Sequence, residues 1–185
     1  MTYLYITAGT ILFFAIAGQI LKRYFRGSVV WTIKKGNHYT SFWLRTLTWI
    51  MWIGCWNFNK KQMSYTVTWD RSAVYNIGPD QKDWNKLPSF QSGFNKLWRE
   101  LLAWRYLGDT VETTWYEHDR SAKPNYGEAF DQWRVAINGE KVEWNTPCTV
   151  RNPGMPWVTP LFPYMGGTQP AQHDTRITIS NMEVI

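Results

Sequence analysis

Acidic residues are missing from the first sixty-nine positions, and the first twenty-one carry no charge of either sign. Cysteine is scarce. Cys55 and Cys148 are the only two, which excludes a disulfide framework. Both read as unpaired small hydrophobes, with a single bridge open to them only in an oxidising compartment. Charged residues make up 18% of the chain, below the usual ~25%. Catalytic patterns are also lacking: there is no GxSxG, P-loop, GxGxxG, HExxH or CxxC. Neither enzyme activity nor a cofactor or metal site is therefore expected. There is no internal repeat and no low-complexity segment.

The uncharged opening stretch, Met1 to Leu21, is followed at once by Lys22, Arg23 and Arg26. About 20 mostly apolar residues at 1.5 Å rise cover a hydrocarbon core of roughly 30 Å. Residues 1–21 are expected to be a transmembrane anchor. Ala15-Ile16-Ala17 resembles a signal-peptidase site, but a signal peptide would begin with Lys or Arg, and this one does not. Ala8, Ala15 and Gly18 recur at spacings of seven and three, which puts small residues on one helical face and makes them candidates for docking a partner helix.

The net charge of +6 is unevenly spread. Eight basic residues precede position 70, whereas twelve basic and fourteen acidic residues follow. The positive charge thus belongs beside the anchor. It suits anionic lipid and the orientation of a span, and a nucleic-acid partner is not expected.

A second apolar run, residues 42–58 (FWLRTLTWIMWIGCWNF), contains one charge, Arg45. Seventeen residues are short for a span. Trp43, Trp49, Trp52 and Trp56 suit head-group depth, with Lys22, Arg23 and Arg26 as further lipid contacts. The run is expected to touch the membrane, either lying in the interface or crossing. Lying, it leaves the main domain on the cytoplasmic or matrix side; crossing, it moves that domain to the outer side. Residues 22–61 thus form a basic, Trp-rich juxtamembrane segment.

Residues 62–185 are expected to be one mainly antiparallel β domain. Ser28–Ile33, Met63–Trp69, Thr110–Glu117 and Arg176–Val184 alternate as strands, the last with an irregularity at Ser180-Asn181. Ala73–Ile77 is a possible partner for the second of these. Residues 80–90 read as a loop. Asn138-Gly139 predicts a tight hairpin joining residues 133–137 to 140–144. Residues 91–107 (QSGFNKLWRELLAWRYL) follow helical spacing, with Ser92 as cap and Gly108 as stop. Six of the nine prolines fall in 146–170, which excludes helix and central strand there. That segment reads as an arm laid over its own domain or a partner's, with Trp157, Phe162 and Tyr164 as docking residues. The fold class is α+β, an anchor followed by an antiparallel sheet carrying one long amphipathic helix. A β-sandwich is the alternative.

Three functions compete. The leading one is a non-catalytic, membrane-anchored accessory or structural subunit that contacts lipid and other protein subunits. The second is a membrane-tethered glycan-binding module using Trp115, Tyr116, Trp133 and Trp144. The third is a metal-dependent enzyme using His118 or His173. Their spacing, with His38, has no ligand-motif form. Glu100 and Asp109 flank a predicted helix end, as the carboxylates of lysozyme-type glycosidases do, but Glu100 reads as a solvated helix charge.

Overall fold

The computed structural model describes residues 2–78, 83–92, 98–107, 110–119, 130–136, 144–151 and 157–185. Between residues 92 and 151 it describes side chains at 103–106, 111 and 150. Among the described residues there are two α-helices and two antiparallel sheets, a mixed α+β architecture.

Helix α1 (Thr2–Arg26) has 25 residues and is about 37 Å long. It runs five residues past the uncharged stretch and ends at Gly27, whose N–H donates to Tyr24 O. Strand β1 (Ser28–Ile33) follows directly. A turn at Lys34–Asn37, with Gly36 at φ +76°, reverses the chain. Helix α2 (Phe42–Gly54) begins at Ser41, whose hydroxyl accepts from Leu44 N–H, and spans 13 residues, about 20 Å.

The remaining strands are β2 (Gln62–Trp69), β3 (Asn85–Lys86), β4 (Ser89–Ser92), β5 (Trp98–Leu107), β6 (Thr110–Asp119), β7 (Phe130–Ala136), β8 (Trp144–Arg151), β9 (Val158–Leu161) and β10 (Thr175–Val184). One sheet has the order β1-β10-β2-β8, and the other β7-β6-β5-β4-β9, with β3 also beside β5. Alternation decides the inner face of the first sheet. Val29, Trp31 and Ile33 of β1 are buried, as are Met63, Tyr65, Val67 and Trp69 of β2. In β10 the register shifts between Ser180 and Glu183, and Asn181 takes φ +55°, so Ile177 and Ile179 before the shift and Met182 and Val184 after it all point inward.

The two sheets bury a common core. Trp69 of β2 meets Trp104 of β5 at 6.5 Å between ring centroids, and Tyr65 donates its hydroxyl to Pro88 O at 2.6 Å. Tyr75, in the loop after β2, is buried beside Trp104 and Tyr106. Its oxygen accepts from Asn85 Nδ2 at 2.8 Å and from Tyr106 N–H at 3.2 Å. Asn85 Oδ1 in turn accepts from Gly166 N–H.

Several sequence expectations are corrected. Residues 91–107 are not a helix: they contribute the end of β4 and the whole of β5, with 93–97 outside the described residues. WRELLAWRYL fits both periods. Ladders on both sides decide it, because Trp104 pairs with Asn85 on one flank and Thr113 on the other. Burial of Trp104 and Ala103 on a sheet outweighs local helical preference. Gly108, expected as a helix stop, lies outside the described residues. The segment at 71–77 does not pair with β2; it is a 3₁₀ turn (Arg71–Ala73) and a buried loop. Residues 80–90, expected as a loop, contain β3 and the start of β4. The Asn138-Gly139 turn lies outside the described residues, but its flanks separate: β7 pairs with β6, whereas β8 pairs with β2 in the other sheet. The Pro-rich segment covers its own domain. Pro147 and Pro160 sit in β8 and β9, both edge strands, where a missing N–H costs no ladder bond. Pro163, Met165 and Ala171 beyond them are buried.

Helices α1 and α2 touch backbone to backbone. A Cβ on Gly54 would stand 2.0 Å from Phe14 O and 2.8 Å from Gly18 Cα, and one on Gly18 would stand 2.6 Å from Gly54 C. Gly54→Ala is expected to cost about 2 kcal/mol by overpacking. Gly9→Ala, with nothing within 4 Å of its added Cβ, is expected to be neutral or slightly stabilising. Thermal unfolding of the detergent-purified chain measures both. A second prediction concerns Tyr75. Burial raises its phenol above the ordinary value of 10.0, only partly offset by the two donors on its oxygen. The folded state holds the neutral phenol while the unfolded chain ionises above pH about 10, so this stability is complete at lower pH and lost as pH rises past 10. Tyr75→Phe should cost about 2 kcal/mol at pH 7 by orphaning Asn85 and Tyr106 N–H, and the gap to the parent should narrow above pH about 10 in denaturant titrations.

Candidate functional site

Two features stand out where the helices meet the sheets: an exposed aromatic collar, and a cavity beneath α2. Both begin with α2. Its two packed faces are apolar, and Thr48, Met51 and Trp52 are buried. Trp52 is fully enclosed, edge-on to Phe90 of β4, and donates its indole N–H to Val158 O of β9 at 3.0 Å. It is therefore unavailable to head groups, contrary to its expected membrane contact. Trp49 is half-buried against Phe162.

The outer side of α2 is apolar as well. Trp43 is 72% exposed and Trp56 63%, and Phe42 and Ile53 are also open. Trp157, expected to dock a partner, is 63% exposed and joins this group. Phe58 sits between Trp56 and Trp157, at 5.6 Å and 5.9 Å between ring centroids. Trp56 and Trp157 have φ of 53° and 56°, a left-handed backbone that is strained for a bulky side chain. The structure thus joins two residues expected in separate roles, and adds Phe58.

Above this collar stands α1. Tyr5, Ile6, Ile11, Leu12, Phe13, Ile16 and Ile20 are all exposed, and between Tyr5 and Leu21 only Gly18 is buried. Among the described residues α1 is the one helix long and apolar enough to cross a membrane. Ala8 is exposed and Ala15 half-buried, whereas Gly18 is taken by Gly54 of the same chain. Lys22 is half-buried and Arg23 exposed. Arg26 pairs with Glu183 of β10 at 2.8 Å, which fastens the foot of α1 to the sheet.

The cavity has a volume of about 340 Å³. Its walls are Tyr39, Arg45, Trp49, Gln91, Phe162 and Tyr164, with Leu161 at the end of β9. Arg45 lies on α2 with its guanidinium 5.5 Å from the centre of the Tyr39 ring, and Tyr39 packs on Tyr164 at 5.5 Å. Lys86 Nζ stands 5.8 Å from the centre of the Tyr164 ring. Among the described residues five buried polar side-chain atoms lack a hydrogen-bond partner: Nε1 of Trp31, Trp69 and Trp104, Arg45 Nε and Gln91 Oε1. The three indoles are set among other core rings. The other two atoms belong to residues of this one cavity. Gln91 is 7% exposed, and its Nε2 faces Pro160 O at 3.5 Å. That carbonyl can only accept, so the amide orientation is fixed and Oε1 is left as the idle acceptor. Phe162 and Tyr164, expected as docking residues, are half-buried wall residues here.

Sequence reasoning missed Tyr39 and Gln91. It registered Arg45 only as an awkward charge in an apolar run, and that oddity was the available signal.

The remaining candidates separate. His38 donates from Nδ1 to Met165 O, and His173 from Nε2 to Ser72 O, both structural contacts. Asp174 accepts from Lys34 Nζ at 2.6 Å and from Lys35 N–H at 3.0 Å, which holds its carboxyl below the ordinary value. Among the described residues no three His, Cys, Asp or Glu side chains could share a metal ion. Cys55 is an unbridged thiol at the end of α2. The side chains of Trp115, Tyr116, His118, Trp133, Trp144 and Glu100, and the whole of Asp109, lie outside the described residues. Comparison with protein-family models, curated proteins and solved structures gives no match.

Proposed function

We propose that this chain is a membrane-anchored, non-catalytic accessory or structural subunit, with α1 crossing the bilayer and the β domain seated on the membrane surface by α2. The observation that carries the reading is the length and placement of the two helices. Helix α1 is long enough to span and is exposed along most of its apolar length. Helix α2, at about 20 Å, falls short of the ~30 Å hydrocarbon core.

Their contact gives a depth. Gly54 meets Phe14 and Gly18, seven and three residues before Leu21, where the uncharged run ends. At 1.5 Å per residue the end of α2 lies roughly 5–10 Å inside that boundary, the depth typical of an interfacial helix. Trp43, Trp56 and Trp157 then sit near head-group level, as tryptophan prefers. Lys22, Arg23, Lys60 and Lys61 supply the positive charge that anionic lipid attracts. With one crossing, the positive-inside rule puts residues 22–185 on the cytoplasmic or matrix side. The exposed residues of α1 from Tyr5 to Phe13, including Ala8, are open to lipid and to the helices of other subunits.

Topology is tested in sealed vesicles with the cytoplasmic face outward. Protease is expected to remove the domain and leave a protected fragment of about 20 residues. Protection of the C-terminus instead would mean that α2 or another segment also crosses. Mild extraction from the native membrane tests the subunit role, and a chain that emerges alone and monodisperse defeats it.

A further inference from the structure

The cavity under α2 holds two unsatisfied groups of opposite sense. Arg45 Nε is a donor with no acceptor, and Gln91 Oε1 is an acceptor with no donor. Buried groups of this kind are rare in folded proteins, and two in one small cavity call for a shared explanation. A single molecule that satisfies both must carry an acceptor and a donor. Charge narrows it further. Arg45 is a permanent cation, Lys86 stands behind the Tyr164 wall, and among the described residues no carboxylate lines the cavity. The ligand's acceptor is therefore anionic. The rings of Tyr39, Trp49, Phe162 and Tyr164 suit short carbon segments. About 340 Å³ is at the low end of ligand-site volumes, room for one head group and not for a whole lipid.

We propose that this cavity binds a hydroxyl-bearing phosphate ester, the phosphate pairing with Arg45 and the hydroxyl donating to Gln91. The choice of phosphate over carboxylate rests on the seating of α2 at head-group depth proposed above. The same chemistry is offered by a phosphatidylglycerol head group and by free glycerol phosphate. The guanidinium suits a tetrahedral phosphate through charge-assisted bonds, and the amide oxygen adds selectivity for an ester with a free hydroxyl.

The test uses the full chain. In uncharged detergent it is titrated calorimetrically with glycerol 3-phosphate, methyl phosphate and glycerate. In nanodiscs of phosphatidylcholine, with or without phosphatidylglycerol, retained lipid is read by native mass spectrometry. Saturable one-to-one binding is expected, with Arg45→Gln weakening it at least about tenfold. Gln91→Leu should weaken glycerol 3-phosphate by about tenfold and leave methyl phosphate unchanged, because methyl phosphate has no hydroxyl to lose. Binding in detergent assigns a soluble ester; retention of phosphatidylglycerol alone assigns the lipid. Should Arg45→Gln lower the melting temperature, Arg45→Lys and Gln91→Leu decide the matter. No saturable binding in either arm, tighter binding of glycerate, or parent-like binding by both variants overturns the proposal. The detergent arm does not depend on membrane seating, so its failure in a chain that passes the protease test leaves the anchoring reading standing.

Discussion

The contact between Gly18 and Gly54 is the constraint on which the rest depends. Without side chains at these two positions, α2 lies directly on α1, and Trp52 on its other face reaches the core between the sheets. The path from α1 to the β domain is then short: α1 backbone, α2 backbone, the Trp52 ring, and the Val158 carbonyl of β9. Arg26–Glu183 adds a second fastening at the foot of α1. The domain is thus held on α1 at two places.

The same packing explains the division of α2 into three faces. One is consumed by α1. One carries Trp52 into the core, with Arg45 and Trp49 beside it at the wall of the cavity, and the third, with Phe42, Trp43 and Ile53, is exposed. An arginine in an apolar helix is costly unless something solvates or pairs it. Here the Tyr39 ring covers one side of the guanidinium, and the cavity supplies the space for whatever covers the other.

Much of this was legible in the residues. β1 matches the alternation of SVVWTI, and β10 carries its irregularity at Ser180-Asn181 because a two-residue period breaks there between Ile179 and Met182. The long apolar helix α1 was legible from its missing charge. Residues 91–107 were not, since leucine, arginine and tryptophan at positions 97–105 satisfy a helical period as well as an alternating one. Only the non-local ladders to β3, β4 and β6 separate the two, and no local window contains them. The cavity was hidden for the same reason: Tyr39, Arg45, Gln91 and Phe162 are far apart in sequence. The role of Gly18 was half legible. Its small size pointed to helix packing, but its partner is Gly54 of the same chain.

The strand order has a consequence for biogenesis. β1 and β2 never pair with each other; both pair with β10, which lies between them. The first sheet therefore cannot close until residue 184 has left the ribosome, long after α1 and β1 have emerged. Throughout that interval β1 and β2 lack the strand that lies between them, the condition in which strands most readily find wrong partners. When β10 emerges it completes the sheet like a keystone.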